Sequence, residues 1–457
     1  MSPPLAGTQR GELLALGERL GRPGPRYTSY PTANLFDGRV GPDEHVAALA
    51  RHGAAGAPIS LYVHLPFCRS LCHYCACNVV ITRRPGAAAG YLEHLEREAD
   101  LVTRALGRRV AVTQLHLGGG TPTYLTPEEL LRLGALLAAR FDLTAAEERA
   151  VEMDPRVTSP AHLQALASLG FDRASFGVQD FDPTVQAAIQ RRQTFEQTLE
   201  LARAARAAGF RSLNVDLIHG LPFQRVETFA RSLEQVLALA PDRVALYAYA
   251  HVPWLRPAQV SFERRQYPMP SPAERLDLFE LAHATLTGAG YVHLGLDHFA
   301  RPEDELARAL ARGALHRNFQ GYTVRRADAV VGLGCSAISD VGGLYAQAAR
   351  DLPTWEAALS AGRLSTDKGW VLSAEDEARR AAVLSVMTGN PLAEGFLAAR
   401  PDVRERLAPL AEDGLVRLDA GTPGDLLVTP LGRRFLRNVA MAFDAHLAPD
   451  ARHARTV

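Results

Sequence analysis

Four of the five cysteines in this 457-residue chain, Cys68, Cys72, Cys75 and Cys77, fall within ten residues, in CRSLCHYCAC. Thiolates bind soft metals and carry redox chemistry, whereas a disulfide framework is spread over a small secreted domain. A Cys-x3-Cys-x2-Cys run on one loop can ligate three irons of a [4Fe–4S] cube and leave the fourth iron open, as a catalytic centre requires. Three other readings compete. A four-cysteine zinc site normally pairs two separated Cys-x2-Cys knuckles, and the sequence has no second knuckle. A closed electron-transfer cluster would take Cys77 as fourth ligand, tightly spaced after Cys75. Inert structural thiols do not suit so dense a cluster. Cys335, alone in GLGCSAIS, reads as a small core residue.

Other chemistry-bearing residues sit where strands are predicted to end. The runs SLYVHLPF (60–67), VTQLHLGGG (112–120), RAVEMDP (149–155), RASFGVQDF (173–181), SLNVDLIHGLP (212–222), RVALYAYAHVP (243–253) and YVHLGLDHFA (291–300) are β-prone and close on polar or glycine residues. Between them lie stretches of helical period such as YLEHLEREADLVTRAL and TFEQTLELARAARAAG. A weak repeat, LGFDRASFGV, AGFRSLNVDL and AGYVHLGLDH, places Gly170, Gly209 and Gly290 where a left-handed residue would stop a helix. This alternation predicts an α/β fold, a full or partial (β/α) barrel with reactive groups at the C-terminal strand ends. Those ends carry the cysteine loop, Gly118–Gly119–Gly120–Thr121, Glu152, Gln179, Asp216 and His251.

Fifty basic and fifty acidic residues balance, so no global attraction to nucleic acid or an anionic membrane is expected. No apolar run approaches the ~20 residues that span a bilayer. The first twenty residues lack the basic-then-apolar order of a secretion signal, so a soluble cytoplasmic protein is expected. Lys368, in STDKGW, is the only lysine and follows no glycine-rich loop, which argues against P-loop, pyridoxal-phosphate and lysine-aldolase chemistry. Residues 1–55 read as an extended arm, 56–350 as the barrel core with a substrate-covering segment, and 351–457 as a mostly helical, winged-helix-like C-terminal domain. The mixed charge of that last region gives no sign of DNA binding.

Cys-x3-Cys-x-aromatic-Cys after a first strand resembles the signature of the radical S-adenosylmethionine (SAM) superfamily, and Gly118–Pro122 resembles its glycine motif. That resemblance implies that SAM chelates the open iron and that an electron from the cluster releases a 5′-deoxyadenosyl radical, which abstracts an unactivated hydrogen. RYTSYPTA (26–33), YVHLPFCRSLCHYCACN (62–78), QLHLGGGTPTYL (114–125), EMDPR (152–156), FGVQDF (176–181), NVDLIHGLP (214–222), YAHVP (249–253), LDHFARPEDELA (296–307) and LHRNFQGYT (315–323) together resemble the oxygen-independent coproporphyrinogen III oxidase family. Cys77 and the RYTSYP arm set it apart from haem-chaperone relatives. The resemblance implies a coproporphyrinogen dehydrogenase of haem biosynthesis. Such an enzyme decarboxylates two propionates of coproporphyrinogen III oxidatively to vinyl groups, giving protoporphyrinogen IX.

Residue by residue, the resemblance implies that Cys68, Cys72 and Cys75 hold the cluster and that Tyr62, Gly119, Gly120 and Glu152 lie beside iron-bound SAM. Thr121, Gln179, Arg191, Asp216, Ala250 and Ile338 match positions lining sites for two SAM molecules. Tyr62 and Cys77 are the catalytic candidates. Tyr74 is expected near adenine. Four substrate carboxylates call for cations, so Arg26, Tyr27, His316 and Arg317 are substrate candidates, with Tyr30, Phe319 and Tyr322 as aromatic cover. The implied partners are coproporphyrinogen III and a reduced flavodoxin- or ferredoxin-type donor, with no nucleic acid or membrane and the chain acting as a monomer. Two alternatives stay open: another radical-SAM porphyrin or haem-trafficking protein, and a non-catalytic iron–sulfur or haem-binding protein.

Overall fold

The computed structural model describes residues 7–84, 86–325, 327–419, 421, 424–447 and 453–456. Six strands form a parallel array: β1 Ile59–Leu65, β2 Val112–Gly119, β3 Glu148–Met153, β4 Arg173–Gln179, β5 Ser212–His219 and β6 Arg243–Ala248. The seventh run, 291–300, is not another parallel strand. It folds into an antiparallel hairpin, β7 Val292–Gly295 and β8 His298–Ala300, and β8 lies antiparallel on β6. Gly295 and Leu296, at φ +142° and +47°, turn the chain inside what reads as one strand. On the other side, β9 Val330–Leu333 runs parallel to β1 and leads into antiparallel β10 Ile338–Val341, β11 Leu344–Ala348 and β12 Thr366–Val371. The order β12-β11-β10-β9-β1-β2-β3-β4-β5-β6-β8-β7 leaves two unjoined edges, so the barrel is partial.

Curling makes one face of the sheet a lumen. Gln114, Glu148, Arg173, Ser212 and Arg243 come from five strands yet line one cavity, with His116, Ser175, Asn214, Asp216 and Tyr247 further along the same strands. The alternate residues Leu115, Leu117, Val151, Phe176, Val215 and Leu246 are buried on the opposite face. Strand periodicity of two therefore sorts a polar interior from an apolar exterior that packs on helices. A packed barrel core would be aliphatic; a polar lumen suits a ligand.

The connecting helices are set by local signals. Pro127–Arg140 opens on a capping box, Thr126 Oγ1 accepting the Glu129 N–H at 3.2 Å and Glu129 Oε2 accepting the Thr126 N–H at 2.9 Å. Gly170, Gly209 and Gly290 take φ +79°, +99° and +90° just beyond helices ending at Ser168, Ala207 and Gly288, as the repeat implied.

Residues 1–55 are less extended than the Pro/Gly punctuation suggested. Helices Gly7–Leu20 and Pro42–Ala55 flank a non-helical stretch interrupted by one short turn, Ala33–Leu35. Leu13, Leu16, Tyr27 and Tyr30 belong to the same core as Val383, Leu407, Val439 and Phe443 of the C-terminal region. That region runs helix (Ala374–Thr388), helix (Pro401–Glu412), hairpin (Val416–Leu418 with Leu426–Val428) and two short helices (Pro430–Arg434 and Leu436–Met441), the winged-helix-like order expected. Pro23 bridges Arg455, and the Thr456 N–H reaches Arg22 O at 2.9 Å. Among the described residues no helix is long and apolar enough to cross a membrane.

Candidate active site

The end of β1 feeds the cysteine loop. Phe67–Cys68 pairs in parallel with Val80–Ile81, and the Thr82 N–H bonds Cys68 O at 3.0 Å, so residues 69–79 leave and return at one point. His73 ties the loop outward, its N–H to Ile189 O and its ring to Ser261 Oγ, both at 3.0 Å. Cys72 Sγ accepts from Arg156 at 3.5 Å and Arg191 at 3.7 Å. Cys68 Sγ lies 3.3 Å from the Thr121 hydroxyl, and Cys75 Sγ accepts the Cys77 N–H at 3.4 Å. All are free thiols. Hydrogen bonds to sulfur and two nearby cations suit thiolates on an anionic cluster. Burial pushes the Cys68 thiol up to about 11. Hydrogen bonding from Cys77 holds Cys75 at about 7, and the same contact drives Cys77 well above the usual thiol range. Among the described residues no three His, Cys, Asp or Glu side chains gather tightly enough for a single metal ion.

Beside the loop, β2 ends in a bare backbone. Gly119 has φ +112°, and a Cβ there would sit 2.7 Å from the His64 ring; one at Gly120 would sit 2.5 Å from Pro66 O. Glycine is thus required on both conformational and packing grounds. Glu152 Oε2 accepts the Gly119 N–H at 3.1 Å, and Oε1 faces His116 Nε2 at 3.4 Å. Burial opposes the Glu152 charge, but His116 and the Gly119 N–H together hold its carboxyl below the usual range. Tyr62 bonds His64 Nδ1 through its hydroxyl at 3.2 Å and stacks on His116 at 5.8 Å between centroids. Tyr62, Gly119, Gly120, Thr121 and Glu152 are therefore one neighbourhood with the thiols, and an anionic carboxylate beside a bare backbone fits an ammonium-bearing ligand.

A second group lies on β4–β6. Asp216 accepts from Ser175 Oγ at 3.0 Å and Asn214 Nδ2 at 2.8 Å inside the lumen. Burial, then Glu152, push its carboxyl up to about 6. Gln179, at φ +69°, marks an irregularity in the β4–β5 register, and Gln179 Nε2 and Arg191 both lie 2.9 Å from where a Gly177 Cβ would stand. Buried Arg191 donates to Gly177 O at 2.6 Å, to Asp154 at 3.2 Å and to Cys72, linking the β4 end to the cysteine loop. Ala250 O accepts from Gln259 Nε2 at 3.0 Å. Ile338 is separated from this group: its carbonyl lies against Gly332, the β9 neighbour of Tyr62.

The substrate candidates divide. Tyr27, Tyr30, His316, Arg317 and Phe319 border one cavity, where Arg317 donates to Tyr27 O at 2.5 Å. Arg26 turns elsewhere, pairing with Asp297 at 3.0 Å, donating to Ala248 O at 2.7 Å and lying over the Tyr247 ring at 5.5 Å. The Tyr27 ring is buried and its hydroxyl donates to Asp444 at 2.9 Å. Tyr322 lines the lumen instead.

Two residues escaped the sequence reading. Asp154 is a buried carboxylate held by Arg156 and Arg191, so it orients both cations that reach Cys72. Its motif, EMDPR, carried the signal, but only Glu152 was singled out. Gln259, fully buried, accepts the Val252 N–H at 2.6 Å and donates to Tyr74 O at 3.3 Å, joining the cysteine loop to the segment after β6. No motif marks it.

Residues 62–236 match the radical SAM superfamily. The chain is 42% identical over 435 residues to an oxygen-independent coproporphyrinogen III oxidase of Pseudomonas aeruginosa, covering 93% of this chain and 94% of the relative. With the protein of the same name from Paracoccus denitrificans it shares 43% identity over 443 residues, 95% and 96% of the two chains. Among solved structures, the coproporphyrinogen III oxidase of Escherichia coli, described as a radical SAM enzyme, superposes with a TM-score of 0.87 at 40% identity, over 95% of this chain and 99% of that one. Full-length likeness at this level, on a fold with this thiol loop at its strand ends, means that the chain belongs to the oxygen-independent coproporphyrinogen III oxidase family of radical SAM enzymes.

Proposed function

We propose that this protein converts coproporphyrinogen III to protoporphyrinogen IX without oxygen, turning two propionates into vinyl groups with loss of carbon dioxide. The supporting observation is a three-thiol loop that follows the first strand and touches Thr121 through Cys68, next to a polar lumen lined by Glu152 and Asp216, in a chain whose like-named relatives match it almost end to end. A [4Fe–4S] cluster and SAM, when bound, supply the hydrogen-abstracting chemistry.

The residues divide the remaining work. Cys68, Cys72 and Cys75 hold the cluster, and Arg156 and Arg191 offset its charge. Glu152 receives an ammonium, while Gly119 and Gly120 let backbone approach it. Tyr62 and His116 wall that side of the lumen. Sites for two SAM molecules are lined by Thr121, Gln179, Arg191, Asp216 and Ala250, with Ile338 on the Tyr62 side. Asp216 suits a ribose hydroxyl and Arg191 a carboxylate. Cys77, next to Cys75 within the loop, is a second catalytic candidate with Tyr62. Among the substrate candidates, His316 and Arg317 border the substrate, while Asp297 holds Arg26 and Asp444 holds the Tyr27 hydroxyl behind them. The polar lumen needs no general base, because hydrogen leaves the propionate as an atom, after which the carboxylate leaves as carbon dioxide while the remaining electron passes to a one-electron acceptor outside the chain. The chain works as a cytoplasmic monomer with a flavodoxin- or ferredoxin-type donor. Its units are the arm 1–55, the barrel 56–350 and the helical domain 351–457.

Anaerobic reconstitution followed by SAM, dithionite and coproporphyrinogen III tests the reading. Protoporphyrinogen IX and 5′-deoxyadenosine should form together. Deoxyadenosine without decarboxylation would move the protein to another radical-SAM porphyrin activity, and neither product would leave a non-catalytic binding role.

A further inference from the structure

A cavity outside the site just described opens where β5 and β6 end. His219 and Ala248, the last residues of those strands, line it together with the helix Pro272–Gly288 and the Pro430–Met441 segment of the C-terminal domain. Five guanidinium groups border it, Arg26, Arg275, Arg433, Arg434 and Arg437, against two carboxylates, Asp297 and Glu280. Asp297 is taken by Arg26 at 3.0 Å and Glu280 by Arg434 at 3.2 Å. Arg437 is spent on backbone, donating to Pro25 O at 3.2 Å and Arg455 O at 3.0 Å. Neither Arg275 nor Arg433 has a carboxylate partner among the described residues, and Arg275 Nε is buried with nothing to receive its proton. Arg275 thus carries charge into a largely enclosed site without a compensating carboxylate, beside half-buried Arg433, and a cation left so is costly, which calls for an anion.

The size limits what that anion is. The interior measures about 100 Å³, well above the ~10–15 Å³ that one water needs, yet it cannot enclose a tetrapyrrole ring. Leu276, Phe279, Leu296 and Phe435 make the walls apolar. A short hydrocarbon arm ending in a carboxylate satisfies both features. Arg26 connects the cavity to the lumen, because it borders the one and lies over Tyr247, which lines the other beside Asp216.

We propose that this cavity is a carboxylate subsite in which Arg275 and Arg433 receive a propionate side chain of the tetrapyrrole and thereby fix which pyrrole ring faces the lumen. The inference rests on the proposed activity for the identity of the ligand. Mutual repulsion supports it: burial, then Arg26, push the Arg437 guanidinium down to about 9, and Arg275 is likewise depressed by burial and Arg455.

The test uses the air-stable, fluorescent coproporphyrin III and its tetramethyl ester as probes, with wild-type protein, Arg275→Gln/Arg433→Gln, and Arg203→Gln as an exposed control. The double variant should bind the tetra-acid at least tenfold more weakly (each charge-assisted bond being worth roughly tenfold), bind the ester as wild type does, and raise KM far more than it lowers kcat. A folded double variant that binds the tetra-acid like the wild type overturns the subsite. A second measurement keeps the wild-type chain: coproporphyrin III should protect Arg275 and Arg433 from phenylglyoxal, read by peptide mass spectrometry, and unprotected arginines overturn the proposal even if the variant misfolds. Wild-type protein that makes no protoporphyrinogen IX would refute the activity itself, an outcome separate from either arginine result.

Discussion

Arg191 donates to the Cys72 sulfur at 3.7 Å while the same guanidinium holds Asp154 at 3.2 Å, so one buried cation joins the thiol loop to the ends of β3 and β4. Lysine would keep the charge and lose the fork. Arg191→Lys should still assemble a cluster anaerobically, with iron and sulfide near wild type. Deoxyadenosine formation should fall by roughly 10–100-fold, the usual size of such outer-sphere losses. Iron analysis and product chromatography on one sample separate the two effects.

The four clustered cysteines should not behave alike. Serine at Cys68, Cys72 or Cys75 should abolish the iron–sulfur absorbance after reconstitution. Cys77→Ser should retain it, because Cys77 supports Cys75 through its backbone N–H, which serine preserves. A Cys77→Ser protein without cluster would instead indicate four protein ligands and no open iron.

Asp216 carries a pH signature. Its folded pKa, about 6, lies above the ordinary carboxylate value of 3.8, through burial and then Glu152. A raised acid binds its proton more tightly in the folded state, so stability falls as pH rises from about 4 through 6 and the penalty is complete above that. Two units correspond to at most ~3 kcal/mol. Asp216→Asn should therefore raise the Tm of the cofactor-free protein at pH 8, leave it nearly unchanged at pH 4, and weaken SAM binding. Calorimetry across that range measures both limbs.

Glycine at 119 is a steric and conformational requirement. Gly119→Ala must hold φ near +112° and place its methyl 2.7 Å from the His64 ring. A cost of about 1–3 kcal/mol is expected, together with loss of SAM affinity by titration calorimetry, because the backbone would shift away from Glu152.

Tyr27→Phe distinguishes packing from substrate contact. Removing the hydroxyl leaves buried Asp444 without that donor, at a cost of about 1–3 kcal/mol. The Tm should drop while KM for coproporphyrinogen stays within twofold. The reverse pattern would put the hydroxyl on the substrate.

Much of this was legible in the chain. Six strand runs and the three helix-stopping glycines follow from period and backbone preference, and the thiol loop, Gly119 and Glu152 lie within contiguous motifs. The hairpin at 291–300 was hidden because its turn, Gly295–Leu296, sits inside an unbroken β-prone run. Helix Gly7–Leu20 was masked by glycine punctuation; its leucines find their partners some 370 residues away, in the C-terminal core. The pairing of Arg26 with Asp297 and the role of Gln259 are tertiary facts with no local trace. Asp154 was visible as a letter, but its meaning depends on Arg191 arriving from a distant loop.

The antiparallel bridge of Pro23 with Arg455, backed by Tyr27 on Asp444, stitches the opening segment of the polypeptide to its closing one. Any motion that lifts the RYTSYP segment must then carry the terminal helices along, since parting them would tear a common apolar interior. The two ends therefore act as one folding unit, and a crosslink between residues 23 and 455 should leave the Tm no lower than that of the uncrosslinked protein.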